Sequence, residues 1–324
     1  MGYYDKIVYE MIDPGIYTEE ERLILSSCTL CPRECGIDRF EATGYCGADA
    51  GLNIASICIH RGEEPPISGP QGICNIFFAG CNLRCFYCQN YDISHPVSFS
   101  KYAVTDLTTC VDTIEEILSK GIYAVGFVSP SHVVPQVKSI IRELGRRGYK
   151  PVTVYNTNSY DKVETLKELE GLIDVYLPDY KYVSPLLAAR YSDAPDYPEV
   201  AIKALKEMYY QKGSVLHTDE NGVAYSGMLI RHLVLPGHTD NSIGVLRSIA
   251  EEISTGVHLS LMSQNHPAGE AISMCELNRP LTKEEYSLVA EEMERLGFRN
   301  GWLQDPDSYK NYLPDFSREH PFEW

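Results

Sequence analysis

The sequence predicts an α/β fold: an incomplete (β/α)6 TIM-type barrel, preceded by a cysteine-rich module and followed by a C-terminal extension. Three observations carry this. Six short apolar runs alternate with stretches of helical periodicity through short connections, as a parallel sheet with crossover helices requires. Each run stops at a group of hydrogen-bonding residues, as expected where chemistry collects at one mouth of a barrel. Two dense cysteine groups, one before the first run and one directly after it, hold seven of the eleven cysteines. The expected boundaries are 1–70 for the module, 71–270 for the barrel and 271–324 for the extension.

A helix over residues 19–27 delivers the chain to Cys28, Cys31, Cys35 and Cys46, with Gly36 and Gly47 after the third and fourth. Four cysteines so spaced suit tight turns around a metal, either tetrahedral zinc or an auxiliary iron–sulfur cluster. The residues alone leave that choice open. Residues 53–60 alternate weakly as a strand, and a Pro/Gly loop then leads to the first barrel strand, 73–79. His60, Glu63 and Glu64 have the chemistry to line a cavity, although solvation at the surface is the commoner fate of such charges. Cys58, Cys74, Cys110 and Cys275 are expected to be buried thiols.

From there the pattern is regular. A helix over 105–120 sets Leu107, Val111, Ile114 and Leu118 on one face, and a strand over 123–128 follows. A helix over 132–147, a strand over 151–155, a helix over 161–170 and a strand over 173–177 continue the alternation. Residues 189–212 are mostly helical after a Pro-containing turn, and Asn221-Gly222 marks a hairpin. A strand over 228–235, a helix over 242–254 capped by Asn241, and a strand over 258–262 complete the barrel. In the extension Thr282 and Glu285 form a capping box, while residues 301–324 are aromatic, aperiodic and expected to pack over the barrel.

An apolar fraction of 44% and a charged fraction of 23% are those of an ordinary globular chain. The formal net charge of −17 argues against a nucleic-acid backbone or an anionic membrane as partner. No apolar run approaches a bilayer span. The first residues are too acidic and too poor in apolar side chains for a signal peptide, and position 6 lacks the Ser or Thr of a myristoylation signal. The cysteines therefore read as thiols and metal ligands in a reducing cytoplasm.

Directly after the first barrel strand the chain reads FAGCNLRCFYCQN, with Cys81, Cys85 and Cys88 at C-x3-C-x2-C. Three thiolates on a short loop hold three irons of a [4Fe–4S] cluster and leave the fourth iron open to a small molecule. Zinc on the same loop would want a fourth ligand nearby. The later strands end in Ser129-Pro-Ser131-His132, in Asn156-Thr157-Asn158-Ser159, in Asp179-Tyr-Lys181, in Arg231-His232 with Pro236-Gly237-His238, and in Ser263-Gln264-Asn265-His266. Together these groups encircle one mouth.

The cysteine loop, with Tyr87 before its last cysteine, resembles the radical S-adenosylmethionine (SAM) superfamily. That resemblance implies a [4Fe–4S] cluster and SAM as cofactors, and an electron donor such as flavodoxin or ferredoxin. The chemistry implied is one-electron cleavage of SAM to a 5′-deoxyadenosyl radical that abstracts hydrogen. The runs CNLRCFYCQN, NTNSY, LPDYK and IRHLVLPG further resemble the activating enzymes of glycyl radical enzymes. CTLCPREC, GYCG, GEEPPISG, SPSH and LMSQN resemble the pyruvate formate-lyase activase-like proteins. On that resemblance Cys81, Cys85 and Cys88 ligate the cluster and Tyr87 offers its backbone to adenine. Asn156, Thr157, Asn158, Ser159 and Asp179, with Lys181, line the cofactor pocket, and Arg231 lies near the cofactor. Asn156 departs from the family carboxylate of a cation site. Ser129 and Ser131 stand where a Gly-Gly-Glu stretch would engage the methionyl amine. Three functions follow as expectations. The first is installation of a glycyl radical on a partner enzyme. The second is radical modification of a small molecule or peptide in a closed pocket of His132, Tyr155, Lys181, His232 and Gln264. The third, disfavoured by an open iron, is a non-enzymatic electron carrier.

Overall fold

The computed structural model describes residues 12–95, 104–305, 314–318 and 321–322. Its strands are β1 Leu52–His60, β2 Ile73–Phe78, β3 Val104–Thr105, β4 Ala124–Val128, β5 Val152–Thr157, β6 Val175–Pro178, β7 His217–Thr218, β8 Ala224–Leu233, β9 His258–Met262 and β10 Gly301–Leu303. They lie in the order β10-β9-β8-β6-β5-β4-β2-β1-β3, with β7 paired to β8 as a hairpin. Every neighbouring pair from β2 round to β10 is parallel. β1 runs antiparallel to β2 and to β3. The sheet ends at β10 and β3 without closing, so the architecture is the incomplete barrel the sequence predicts.

β2 and β4 are buried at every residue. That is why they read as continuous apolar runs rather than alternating ones: helices cover the outside and the curved sheet covers itself inside. The helices Leu107–Leu118, Val134–Arg146, Val163–Lys167, Tyr197–Lys212 and Thr239–Glu252 cross over between successive strands. Gly126 in β4 is dictated by packing, because a Cβ there would lie 2.1 Å from the Asn75 Oδ1 of neighbouring β2.

Several expectations are corrected. The helix expected from 242 starts at Thr239, and Asn241 does not cap it. Its amide instead accepts from Val183 N–H at 3.1 Å and donates to the Lys181 carbonyl at 3.0 Å. An additional helix, Pro185–Ser192, precedes the turn near 194 and ends at Asp193 in the left-handed region. Cys58, Cys74 and Cys110 are buried, but Cys275 is exposed, in a turn region with no apolar layer above it. In the extension the capping box is present, with Thr282 and Glu285 bonded reciprocally. The aperiodic tail contributes β10, a seventh parallel strand too short to show a pattern. Phe316 and Phe322 of the tail pack on Phe77, with ring centroids 5.4 Å apart in each case. Residues 306–313 of the tail lie outside the described residues. Among the described residues no helix is long and apolar enough to cross a membrane.

Candidate active site

A cavity of about 380 Å³ occupies the concave side of the sheet, a size suited to a cofactor-sized ligand. Cys81, Cys85 and Cys88 line it, as do Tyr87, Ser129, Asn156, Asn158, Asp179, Lys181 and Arg231. These come from the loop after β2 and from the C-terminal ends of β4, β5, β6 and β8. Parallel strands deliver all those ends to one side, so residues 150 positions apart in sequence share one wall.

Each cysteine sulfur is held by a donor from outside its own turn. Asn158 Nδ2 donates to Cys81 Sγ at 3.4 Å, Ser192 Oγ to Cys85 Sγ at 3.0 Å, and Ser94 Oγ to Cys88 Sγ at 3.4 Å. Burial raises the Cys85 thiol to about 11, with Lys181 pulling the other way. Buried thiols of this kind ionise only against a cationic centre. Among the described residues no three His, Cys, Asp or Glu side chains already meet at one ion position.

Beside the sulfurs lies a charged network. Arg231 donates from Nε to Asp179 Oδ1 at 2.8 Å, from Nη1 to Glu63 Oε2 at 2.9 Å, and from Nη2 to Asn156 Oδ1 at 2.6 Å. Lys181 Nζ reaches Asp179 Oδ2 at 2.7 Å. Burial alone would raise the Asp179 carboxyl, but Arg231 and Lys181 outweigh it and hold it below its ordinary value. Glu64 Oε2 has no hydrogen-bond partner and stands 4.0 Å from Arg231 Nη1. Burial pushes that carboxyl up, against the Arg231 charge. His60, Glu63 and Glu64, for which solvation is the commoner expectation and a cavity the alternative, all line the cavity. Glu63 and Glu64 sit on the β1–β2 connection, which joins the strand ends opposite the mouth, and a rule that looks only at C-terminal strand ends passes over them.

Other expected site residues are placed elsewhere. Ser131 and Thr157 do not line the cavity. Their hydroxyls pair at 3.1 Å, and Thr157 also donates to the buried carboxylate of Asp161. Ser159 is fully buried in the left-handed turn that follows. Of the five residues expected in a closed pocket, only Lys181 and Gln264 line the cavity. Tyr155 donates to Asp161 at 2.9 Å, and His132 bonds the Ala79 carbonyl at 3.2 Å; both are buried. Tyr87 lines the cavity while its hydroxyl pairs with that of Tyr182 at 2.5 Å. Gln304, which the sequence did not single out, donates to Gln264 Oε1 at 2.7 Å, and Gln264 bonds Gln89 of the cysteine loop.

His232 is held as a neutral ring. Nδ1 donates to the Tyr180 carbonyl at 2.7 Å, so Nε2 accepts from Ser242 Oγ at 2.8 Å. Burial lowers its pKa from 6.5 to about 4. Between those values the unfolded chain binds a proton that the folded chain refuses, so stability falls as pH drops from 6.5 toward about 4. The expected loss at the acid end is about 3 kcal/mol. Thermal melts should be flatter over that window for His232→Asn, and an unchanged slope would refute the account.

A family model described as the Radical SAM superfamily matches residues 75–248, just over half of the chain. An uncharacterized protein of Methanocaldococcus jannaschii is 28% identical over 296 residues, covering 88% of this chain and 80% of that one. Among solved structures, HydG, a maturase of the [FeFe]-hydrogenase, aligns at 12% identity and a TM-score of 0.49, covering 76% of this chain and 56% of its own. A spore photoproduct lyase variant aligns at 11% identity and a TM-score of 0.47, covering 70% of this chain and 74% of that one. The chain thus spans little more than half of the HydG structure. With its cysteine loop on the first of a run of parallel strands, and the family match spanning β2 to the helix after β8, the chain belongs to the radical SAM superfamily, enzymes that cleave SAM reductively with an iron–sulfur cluster.

Proposed function

We propose that Cys81, Cys85 and Cys88 ligate three irons of a [4Fe–4S] cluster and that SAM binds in the adjoining cavity. The observation that carries this reading is the convergence of the three cysteines with Asn158, Asp179, Lys181 and Arg231 on one cavity at the strand ends. When bound, the cluster supplies the electron that splits the C5′–S bond of SAM, giving methionine and a 5′-deoxyadenosyl radical that takes hydrogen from the substrate. The chain's own residues do the rest. Asn158, Ser192 and Ser94 orient the sulfurs, and Asp179 and Arg231 give the cavity a fixed polar wall. Val128, Leu233 and Met262 line it with apolar surface that limits water. Cys28, Cys31, Cys35 and Cys46 are read as a second metal centre.

The motif resemblance favours a glycine of a partner enzyme as the hydrogen donor, with flavodoxin or ferredoxin as electron source. A small molecule or peptide is the second reading. Trp302 and Phe322 of the extension favour it, because they line the cavity and narrow what can reach it. Anaerobically reconstituted protein, given a strong reductant and SAM, should release 5′-deoxyadenosine. None at all would overturn the radical reading. Deuterium carried into that product from a glycine-labelled partner supports the first substrate class, and deuterium from a labelled metabolite or peptide supports the second.

Glu64→Gln tests the carboxyl whose Oε2 has no hydrogen-bond partner. It should hold or raise the melting temperature, because it puts a neutral amide where burial already disfavours the charged carboxylate, yet lower turnover about tenfold by removing an acidic group from the cavity wall. A destabilised variant with full turnover would count against a ligand-facing role.

A further inference from the structure

Of the three cysteines on the loop after β2, Cys85 is the one that is buried. Its sulfur also takes the shortest of the three side-chain hydrogen bonds, 3.0 Å from Ser192 Oγ, against 3.4 Å from Asn158 to Cys81 and from Ser94 to Cys88. Ser192 is the last residue of the helix Pro185–Ser192. The loop itself holds that helix end: Arg84 N–H donates to the Ser192 carbonyl at 3.3 Å, and Phe86 N–H to the Tyr191 carbonyl at 2.9 Å. The two residues flanking Cys85 thus bind the last two of the helix, which fixes the serine hydroxyl over the sulfur between them.

Behind Ser192 the hydroxyls continue. Ser192 Oγ lies 2.9 Å from the Tyr182 hydroxyl, which lies 2.5 Å from that of Tyr87 on the cavity wall. Ser192 and Tyr182 are fully buried and Tyr87 nearly so, so the three hydroxyls satisfy one another. Each carries a single proton. Ser192 spends its own on the Cys85 sulfur, so Tyr182 must donate to Ser192 and Tyr87 to Tyr182. All three O–H dipoles therefore point along one line towards the sulfur, and bonds in such a run polarise one another. Edge-on packing keeps the phenols in place: the Tyr182 ring meets Tyr87 at 77° and Tyr197 at 79°, with centroids 6.5 and 5.5 Å apart.

We infer that this file of hydroxyls, Tyr87 to Tyr182 to Ser192, tunes the reduction potential of the iron–sulfur cluster through Cys85 and favours its reduced state. The inference rests on Cys85 being a cluster ligand, as proposed above. Reduction adds one electron from an external reductant, and each hydroxyl keeps its proton. Negative charge on the ligating sulfurs grows in that step, and a donor aimed at one of them interacts more strongly after it than before. Losing the donor therefore makes the cluster harder to reduce. Ser192 meets the sulfur itself, whereas Tyr182 and Tyr87 act through it as positioning residues. The helix end that carries Ser192 is thus part of the redox site although it lies outside the cavity wall.

The test reads a potential rather than turnover. The full chain and its variants are reconstituted anaerobically without SAM, and the reduced fraction of the cluster is followed by its absorption against a poised potential. Only the protein that retains a cluster contributes to that reading. Ser192→Ala should lower the equilibrium constant for reduction about tenfold, a shift of about 59 mV to more negative potential for one electron. Tyr182→Phe keeps the ring and removes one hydroxyl, and the constant should fall about threefold. Added to Ser192→Ala, it should move the potential no further, because Tyr182 acts only through that serine. Tyr176→Phe is the control: it removes an equally buried phenol hydroxyl, bonded at 2.8 Å to Gln211 Oε1 and not part of the file, and should leave the potential at the wild-type value. An unmoved potential in Tyr182→Phe, additive shifts in the double variant, or an equal shift in Tyr176→Phe overturns the inference. Should Ser192→Ala hold no cluster, Tyr182→Phe and Tyr87→Phe carry the test, with shifts of the same sign and the smaller one at Tyr87. Wild-type protein that develops no iron–sulfur absorption overturns the cluster reading and the tuning with it, and that failure shows before any potential is read.

Discussion

Cys85→Ala is expected to abolish SAM cleavage: 5′-deoxyadenosine formation should fall by about a thousandfold or more, and the reconstituted protein should lose its iron–sulfur absorption. Cys85 is the middle ligand of the proposed three and 9% exposed. Its sulfur takes a hydrogen bond from Ser192 Oγ at 3.0 Å, and Ser192 is tied in turn to Tyr182 at 2.9 Å. Alanine removes the ligand and leaves that chain of hydroxyls aimed at nothing. No nearby side chain can substitute, because the other cysteines of the loop are already committed in the proposed cluster. Ser192→Ala provides the graded comparison. It keeps all three ligands and loses one orienting bond, so cluster retention or turnover should fall about 10- to 100-fold, not to zero. Sustained turnover in Cys85→Ala would sink the assignment of the loop.

Arg231→Met should be the most destabilising single change in the cavity wall. Three groups, Asp179, Glu63 and Asn156, share its guanidinium, and Glu64 lies at the edge of its reach. Removing one partner of a buried ion pair costs about 3–5 kcal/mol, because the other charge stays behind without water. In a chain of this length that corresponds to a fall in Tm of roughly 4–7 °C. The sign with pH follows from Asp179, which stays ionised below its ordinary range because of Arg231. The stabilisation is therefore present at neutral pH and disappears as pH falls through the depressed pKa, so wild type and variant should converge in acid. Arg231→Lys should recover only part of the loss, since one ammonium cannot reach three partners in the guanidinium's fork geometry. Calorimetry giving a Tm within about 2 °C of wild type for Arg231→Met would refute the network account.

Much of this was legible in the chain itself. The parallel strands announce themselves because both faces are covered, which forces unbroken apolar runs such as ICNIFF and AVGFV. The cysteine loop is legible because ligand spacing is a local property. What failed to show was whatever depended on distant pairing. β10 exists only by virtue of lying beside β9, and three residues hold no period. Glu63 and Glu64 look like solvated charges until Arg231, far along the chain, is folded over them. Ser131, Thr157, His132 and His232 carry the right chemistry at the right strand ends, yet their side chains turn toward other buried groups. Sequence position gives the end of the strand but not the direction of the side chain.

Gly126 illustrates how far from the mouth its geometry is decided. The space above that residue is taken by Asn75, whose Nδ2 holds Glu63 Oε1 at 3.0 Å, and Glu63 in turn anchors Arg231. A methyl group at position 126 would displace the amide, then the carboxylate, then the guanidinium. In a saturation screen scored by survival, this glycine would register among the functional positions although it does not line the cavity. A map of intolerant sites in this chain would therefore trace a wedge running from the middle of the sheet outward, wider than the footprint of any ligand.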